Sequence, residues 1–148
     1  MQGADYNIYD QPVSAYQNVL NQAKSYSDTA VVVLSRAGGE GGDEPIDMGQ
    51  YKNGQAGKSY LQIQDSEKQM IDYCAKNFKN VVVLINSSNP MELGFLNDSG
   101  IDAALWIGGP GTTGLDAVTD IIDGDVNPSG RLTDIYAYDL KSNPSYYT

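Results

Sequence analysis

The spacing of apolar residues along the chain predicts helices that alternate with short buried strands. Apolar side chains recur every three or four positions from Val13 to Ala23, and this spacing predicts a helix over about 12–25 because it gathers them on one face. The run 29–34 (TAVVVL) is continuous and rich in β-branched residues, which is typical of a parallel strand covered on both faces. The first pair of elements is therefore a helix and a buried strand.

The same pair of patterns occurs a second time. Ser66 and Gln69 have the spacing of a capping box, and the apolar residues between 70 and 78 share one helical face. The run 81–85 (VVVLI) again has the composition of a buried strand. We therefore predict a second helix that starts near Ser66 and leads into a second parallel strand.

A third helix and a third strand are predicted after this. Asn89, Pro90 and Glu92 are residue types preferred at the N-cap, N1 and N3 positions, which predicts a helix running to about residue 96. The apolar run 103–107 (AALWI) then predicts a third strand.

The remaining part of the chain completes the predicted fold. Thr113 and Asp116 have the spacing to cap a helix that ends near Gly124, and residues 135–138 form a candidate closing strand. Helices that alternate with buried strands predict an α/β fold, which we expect to be a three-layer α/β sandwich with a mostly parallel central sheet of about five or six strands. At 148 residues, the range 1–148 is the length of a single domain.

Glycines surround an acidic residue directly after the first strand. Two glycine pairs flank Glu40, and Asp43 follows closely; this density of glycine predicts a loop. Ligands of such sheets bind at the carboxyl ends of the strands, so this loop is a candidate site, with a solvated acidic turn as the alternative. The polar, aperiodic stretch 44–64 is a long connection, and connections of this length tend to be functional or mobile.

The charge and the absent residue types narrow the chemistry. The formal net charge is -10, which argues against binding to nucleic-acid phosphates or acidic membranes. The chain has no His, so catalytic triads, HExxH zinc sites and general bases that need His are excluded. Acid–base chemistry must then come mainly from carboxylates.

Cys74 lies on the apolar face of its predicted helix, so we expect a buried thiol and no disulfide.

Three further features of the sequence each have two possible interpretations. Gly109, Gly111 and Gly114 form a GxGxxG pattern between a predicted strand and a predicted helix, as in dinucleotide-binding loops. Pro110 within the pattern favours a tight turn instead. Trp106 is expected in the core, with a sugar-stacking platform as the alternative. The late tyrosines either stack on carbohydrate or pack against another domain: Tyr136, Tyr138, Tyr146 and Tyr147.

Three blocks of the sequence resemble the signature blocks of the C-terminal α/β-sandwich domain of glycoside hydrolase family 3. They are 29–44 (TAVVVLSRAGGEGGDE), 81–93 (VVVLINSSNPMEL) and 124–132 (GDVNPSGRL), and they stand in the family's order. The similarity extends over about 13–132. One such block would be a weak signal, whereas three in order, on the fold that the periodicity predicts, make the resemblance strong.

The resemblance implies a domain of a retaining, β-glucosidase-like glycosidase that hydrolyses O-glycosidic bonds in carbohydrates. In that family the active site is shared with a (β/α)8 barrel that carries the nucleophilic Asp. We therefore expect a barrel of the same parent chain as partner, no cofactor or metal, and no activity of the isolated domain. Glu40 matches the family's acid/base residue. Asp43 matches the Asp that ends the same block, and we expect Asp43 and Arg36 to bind substrate.

Two departures from the family pattern and two alternative functions complete the prediction. Glu44 stands where the family usually has Arg, and 108–114 (GGPGTTG) replaces a Gly-Gln-Glu-type turn, so no binding role is carried onto that turn. The alternatives to an enzyme domain are a non-catalytic carbohydrate-binding module and, less favoured, a dinucleotide-binding domain. Neither nucleic acid nor a membrane is an expected partner, and the sequence leaves open both the sugar and the compartment, bacterial cytoplasm or secreted.

Overall fold

Three strands and three α-helices make up the described part of the protein. The structure, a computed structural model, describes residues 6–38, 42–98 and 100–147. The elements in chain order are α1 (Gln17–Tyr26), β1 (Thr29–Arg36), α2 (Asp65–Asn77), β2 (Asn80–Ser87), β3 (Ala103–Trp106) and α3 (Leu115–Ile122). Short 3-10 helices lie between or after them, at Val13–Ala15, Gly94–Asn97, Leu140–Ser142 and Pro144–Tyr147. All three predicted strands at 29–34, 81–85 and 103–107 are therefore confirmed.

The strands of the described residues form one sheet in the order β1–β2–β3, and both pairs are parallel. Leu34 lies opposite Ile85, which in turn lies opposite Trp106. Helix α2 provides the crossover between β1 and β2 that parallel pairing requires. The α/β class with a parallel sheet is confirmed. A sheet of five or six strands is not, since the described residues contribute three.

The two faces of β1 differ in burial. Val32, Leu34 and Arg36 are buried, whereas Val31 and Val33 are 44% and 49% exposed. Successive side chains of a strand point to opposite faces of the sheet, and α2 packs on the face that carries the even-numbered residues. The prediction that both faces are covered therefore holds for only one face among the described residues.

The main hydrophobic core lies between this covered face and α2. The helix contributes Ile71 and Cys74 from one side, as the apolar spacing predicts. The other buried members come from the strands and from the segment after β2: Val32, Leu34, Val81, Val83, Ile85, Met91 and Phe95. Cys74 is buried as expected, and burial raises the pKa of its thiol.

The start of α2 differs from the prediction. The capping box is formed by Gln64 and Glu67 instead of Ser66 and Gln69, and the backbone N–H of Gln64 donates to Oε2 of Glu67 at 2.8 Å. The reason is tertiary, because Glu67 is held in place by the side chain of Arg36. This contact selects a helix start earlier than the local pattern suggests.

The helix predicted after Asn89 is wrong, since the structure has only a short 3-10 helix at Gly94–Asn97. The expected capping residues have other partners. Asn89 donates its side-chain amide to Glu44, and the Glu92 carboxylate accepts the backbone N–H of Leu140. These contacts with distant segments hold the chain in an irregular conformation where the local sequence favours a helix.

The predictions for the last third of the chain are partly confirmed. Helix α3 is present and Gly124 follows it with a positive φ of 85°. Its N-cap, however, is Gly114 and makes no side-chain hydrogen bond, so Thr113 does not cap it. Residues 135–138 are not a strand. Ile135 is 97% exposed. The backbone N–H of Leu93, after β2, donates to the carbonyl of Ala137, but an isolated hydrogen bond of this kind does not form a β-ladder.

The long connection 44–64 contains a small hydrophobic core of its own. Ile8, Met48 and Tyr60 are buried together, with Tyr6, Tyr51 and Leu61 packed against them. The backbone N–H of Met48 donates to the carbonyl of Lys58 at 2.8 Å. The sequence pattern does not predict this cluster, because the stretch is mostly polar and its apolar residues are spaced irregularly. Among the described residues no helix has the length and apolar character needed to cross a bilayer.

Core packing gives the first testable prediction. Ile71→Ala removes a side chain that is 1% exposed and should lower the free energy of unfolding by about 2–5 kcal/mol, because it leaves a cavity between α2 and the sheet. Val19→Ala on α1, where the side chain is 63% exposed, is the matched control and should change stability by less than about 0.5 kcal/mol. Urea unfolding of both variants measures this; equal losses would contradict the assigned core.

Candidate functional site

The candidate site lies at the carboxyl edge of the sheet, where β1 leads into the glycine-rich loop. Glu40, the predicted acid/base, lies outside the described residues, together with the glycines on either side of it. The structure therefore describes the two ends of the loop. One end is Ala37 and Gly38, and the other begins at Gly42 and continues through Asp43 and Glu44.

Both ends of the loop are held by side chains from other segments. The backbone N–H of Ala37 donates to the hydroxyl of Tyr60 at 2.9 Å, and Nδ2 of Asn89 donates to Oε1 of Glu44 at 2.6 Å. The amide of Asn89 also lies against Gly38, where a Cβ would come within 2.4 Å of Nδ2. Asn89 therefore contacts both ends of the loop, which accounts for glycine at position 38.

Sequence reasoning missed this role of Asn89. The residue type suggested a helix cap, and its actual partner Glu44 is separated from it by 45 positions. The signal that could have found it is the location of Asn89 just after β2, because neighbouring parallel strands end at the same edge of a sheet.

Arg36 is buried at the end of β1 and is fully occupied by internal contacts. Its Nη1 and Nη2 each lie 2.7 Å from the Glu67 carboxylate. The remaining donors reach backbone carbonyls: Nε to Tyr60 at 2.5 Å, Nη1 to Ser35 at 2.8 Å and Nη2 to Gln62 at 3.0 Å. Together these contacts use all five N–H donors of the guanidinium.

The buried Arg36–Glu67 pair links segments that meet at the end of β1. The side chains are 3% and 4% exposed, and Cζ of Arg36 lies 5.4 Å from the ring centroid of Tyr60. The pair joins the end of β1, the first turn of α2 and the segment around Tyr60. Direct substrate binding by Arg36 stays a prediction, and the geometry favours a residue that positions the start of the loop.

Glu44 combines burial with an incomplete set of hydrogen bonds. Its side chain is half-buried, and Oε2 is buried without a hydrogen-bond partner among the described residues. Burial raises the pKa of this carboxyl group, while contacts with Asn89 and the Tyr6 hydroxyl act in the opposite direction. A carboxyl group with a raised pKa keeps its proton to higher pH, which suits proton donation.

Asp43 is exposed and borders a cavity of about 690 Å3, called the acidic pocket below. Glu44 and Asp47 line the same pocket, and so do Tyr51 and Ser59. The predicted substrate-binding residue Asp43 is thus placed beside a cavity large enough for a small ligand. No described residue group has the composition of a metal site.

A second groove, of about 640 Å3, lies between β3 and α3 and is mainly apolar. Trp106 lines it and is 39% exposed, with its indole N–H donating to the carbonyl of Ser87 at 2.8 Å. The prediction of a core Trp is therefore wrong, because only part of the ring is covered.

At the GxGxxG pattern, a Cβ on Gly114 would lie 2.5 Å from the carbonyl oxygen of Pro110, as in a tight turn.

Comparison with known proteins shows what this chain is similar to. A family model described as the glycosyl hydrolase family 3 C-terminal domain matches residues 7–148. A beta-glucosidase of Ruminococcus albus is 31% identical over 128 residues, covering 86% of this chain and 12% of that protein. Beta-glucosidase A of Butyrivibrio fibrisolvens is 28% identical over 178 residues, covering 96% and 21%.

A solved structure is similar over almost the whole chain. The crystal structure of a beta-glucosidase from Paenibacillus barengoltzii has a TM-score of 0.76 and 27% identity, covering 95% of this chain and 14% of the other. This chain thus spans less than a quarter of the length of these two curated relatives.

The buried ion pair gives the second prediction. Glu67→Gln should destabilise the fold by about 3–5 kcal/mol, because it leaves the buried Arg36 charge without a counter-charge. Asp72→Asn, which breaks an exposed ion pair with Lys68 on the same helix, is the matched control and should cost at most about 1 kcal/mol. Thermal and urea unfolding measure the difference. A loss as small as that of the control would show that the pair does not hold the end of β1.

The third prediction concerns the carboxyl group of Glu44. Asn89→Ala should raise its pKa further, because the amide hydrogen bond favours the charged form. A pKa raised on folding makes the fold bind a proton more tightly, so the stabilisation from protonated Glu44 is present at low pH and is lost as pH rises through the folded pKa. Carbon-13 NMR titration of the Glu44 carboxyl measures the shift; an unchanged or lower pKa in Asn89→Ala would contradict the contact.

Proposed function

This chain belongs to the glycosyl hydrolase family 3 C-terminal domain family, and from that premise we propose that it supplies the acid/base loop of a retaining β-glycosidase. The resemblance seen in its three sequence blocks is thereby confirmed. The rest of the active site would come from a (β/α)8 barrel of the same parent chain. The substrate class is a β-linked glucoside or oligosaccharide, in line with the beta-glucosidases to which the chain is similar.

One observation supports this function above the others. The loop that contains Glu40 is fixed at both ends, by Tyr60 at Ala37 and by Asn89 at Glu44. A solvated acidic turn needs no such anchors. A proton donor does, because general acid catalysis requires its carboxyl group within hydrogen-bond reach of the leaving oxygen.

The chemistry assigns one of two carboxyl groups to this chain. Retaining hydrolysis needs a nucleophile that attacks the anomeric carbon and an acid/base about 5–5.5 Å away. In our proposal Glu40 protonates the oxygen of the leaving group and then takes a proton from the incoming water. The barrel supplies the nucleophilic Asp. The isolated chain is then inactive, since the acid has no attack to assist.

The other two predicted site residues have supporting parts in this proposal. Asp43, exposed beside the acidic pocket, contacts hydroxyl groups of the substrate. Arg36 acts through structure, because its contacts with Glu67 and Tyr60 fix the point where the loop leaves the sheet. No cofactor or metal takes part.

The fourth prediction tests Glu40 in the longer polypeptide that joins this chain to its barrel. Glu40→Ala should reduce turnover of aryl glucosides with poor leaving groups by roughly 10²–10⁴-fold, because these need protonation of the departing oxygen. Substrates with activated leaving groups should be affected far less, and azide should restore part of the rate. Steady-state kinetics on both substrate types measures this.

Asp116→Ala, on α3, is the matched control and should leave both rates unchanged. Equal losses with good and poor leaving groups, without azide rescue, would remove Glu40 from the acid/base role. Hydrolysis by the isolated chain above its own Glu40→Ala background would contradict the shared active site. Saturable NAD(P) binding would favour the dinucleotide-binding alternative.

A further inference from the structure

The point at which the glycine-rich loop leaves the sheet is held by the short segment 59–62. Nε of Arg36 donates to the carbonyl of Tyr60, and Nη2 donates to the carbonyl of Gln62. The hydroxyl of Tyr60 accepts the backbone N–H of Ala37, the first residue after β1. The position of this segment therefore determines where the loop begins.

Glu92, in the segment after β2, contacts 59–62 through both its main chain and its side chain. Its backbone N–H donates to the carbonyl of Leu61 at 2.9 Å. Its carboxylate accepts the side-chain amide of Gln62, whose Nε2 lies 3.1 Å from Oε2 and 3.3 Å from Oε1. The oxygen of the Gln62 amide accepts the backbone N–H of Ser59 at 3.0 Å, so this amide is itself held in one orientation.

The C-terminal segment makes a further contact with Glu92. Oε2 of Glu92 also accepts the backbone N–H of Leu140 at 2.8 Å. The two segments lie close together, since a Cβ on Gly94 would come within 2.3 Å of the carbonyl oxygen of Tyr138. The Glu92 carboxylate is partly buried and accepts hydrogen bonds from two different segments, which fixes its position.

The same short stretch of chain contacts the other end of the loop. Asn89, which precedes Glu92 by three positions, donates its side-chain amide to Glu44. Between Asn89 and Glu92, the side chain of Met91 is completely buried in the main core. Residues 89–92 therefore contact the far end of the loop directly and the near end through 59–62, and they are anchored to the core themselves.

We propose that Glu92 is a positioning residue for the acid/base step. It holds 59–62 in place and thereby, through Arg36 and Ala37, the start of the loop that carries Glu40. General acid catalysis requires the carboxyl group to lie within hydrogen-bond reach of the leaving oxygen, so displacement of the loop slows proton transfer first. The inference rests on the proposed function for the role of Glu40, whereas the link from Glu92 to Ala37 is a property of the fold alone.

The fifth prediction tests this link in the 148-residue chain by hydrogen exchange, measured by NMR. Glu92→Ala should raise the exchange rate of the Ala37 amide roughly three- to tenfold, about the effect of one lost hydrogen bond, because 59–62 loses its support. Gln62→Ala, which leaves Glu92 in place and removes the amide, should raise it similarly. Glu92→Gln keeps an acceptor oxygen and should exchange like the unmodified chain.

Asp102→Ala is the matched control for loss of a carboxylate that accepts a backbone N–H. Oδ2 of Asp102 accepts the N–H of Val81 at 2.8 Å, at the start of β2 and hence at the opposite edge of the sheet. This variant should raise exchange at Val81 and leave Ala37 unchanged. The comparison separates a local effect on the loop from a general loss of stability.

Kinetics in the longer polypeptide that joins this chain to its barrel tests the consequence for catalysis. Glu92→Ala should reduce turnover of substrates with poor leaving groups roughly 10- to 100-fold, the range expected for a displacement of about 1 Å, and should change activated substrates little. Glu92→Gln should retain most of the rate. In the Glu40→Ala background, Glu92→Ala should cause no further loss, because the acid that it positions is already absent.

Each result decides the inference in one direction. Unchanged exchange at Ala37 in both Glu92→Ala and Gln62→Ala, or an equal rise in Asp102→Ala, would overturn it. Equal losses of turnover with good and poor leaving groups in Glu92→Ala, or no loss with either, would overturn it as well if Glu40→Ala keeps its own dependence on the leaving group. If Glu40→Ala lacks that dependence, the proposed function fails, and exchange at Ala37 alone decides whether Glu92 positions the start of the loop.

Discussion

The buried ion pair between Arg36 and Glu67 is the interaction on which the arrangement of the candidate site depends. It joins the last residue of β1 to the first turn of α2, and the guanidinium also binds the backbone at Tyr60 and Gln62. A buried charge tolerates little displacement, because any loss of its partners leaves it uncompensated. The loop that begins at Ala37 therefore leaves the sheet from a fixed point.

The other end of the loop depends on contacts between segments that are distant in sequence. Asn89, which follows β2, holds Glu44, while the connection 44–64 packs on its own small core around Met48. The sheet provides the edge at which these segments meet. Two fixed ends suit the position of the acid that we propose for a catalytic centre completed by a second domain.

The sequence by itself determined the three strands, the helices α1, α2 and α3, and the family, because apolar periodicity and ordered sequence blocks are local signals. Only the tertiary structure decided the roles of Arg36 and Asn89, the capping of α2 by Glu67 and the exposure of Trp106. The roles of Arg36 and Asn89 depend on contacts between distant parts of the chain. Arg36 and Glu67 are 31 positions apart, and Asn89 and Glu44 are 45 positions apart. Tertiary contacts of a buried charge or amide therefore override the local helix propensity of the sequence.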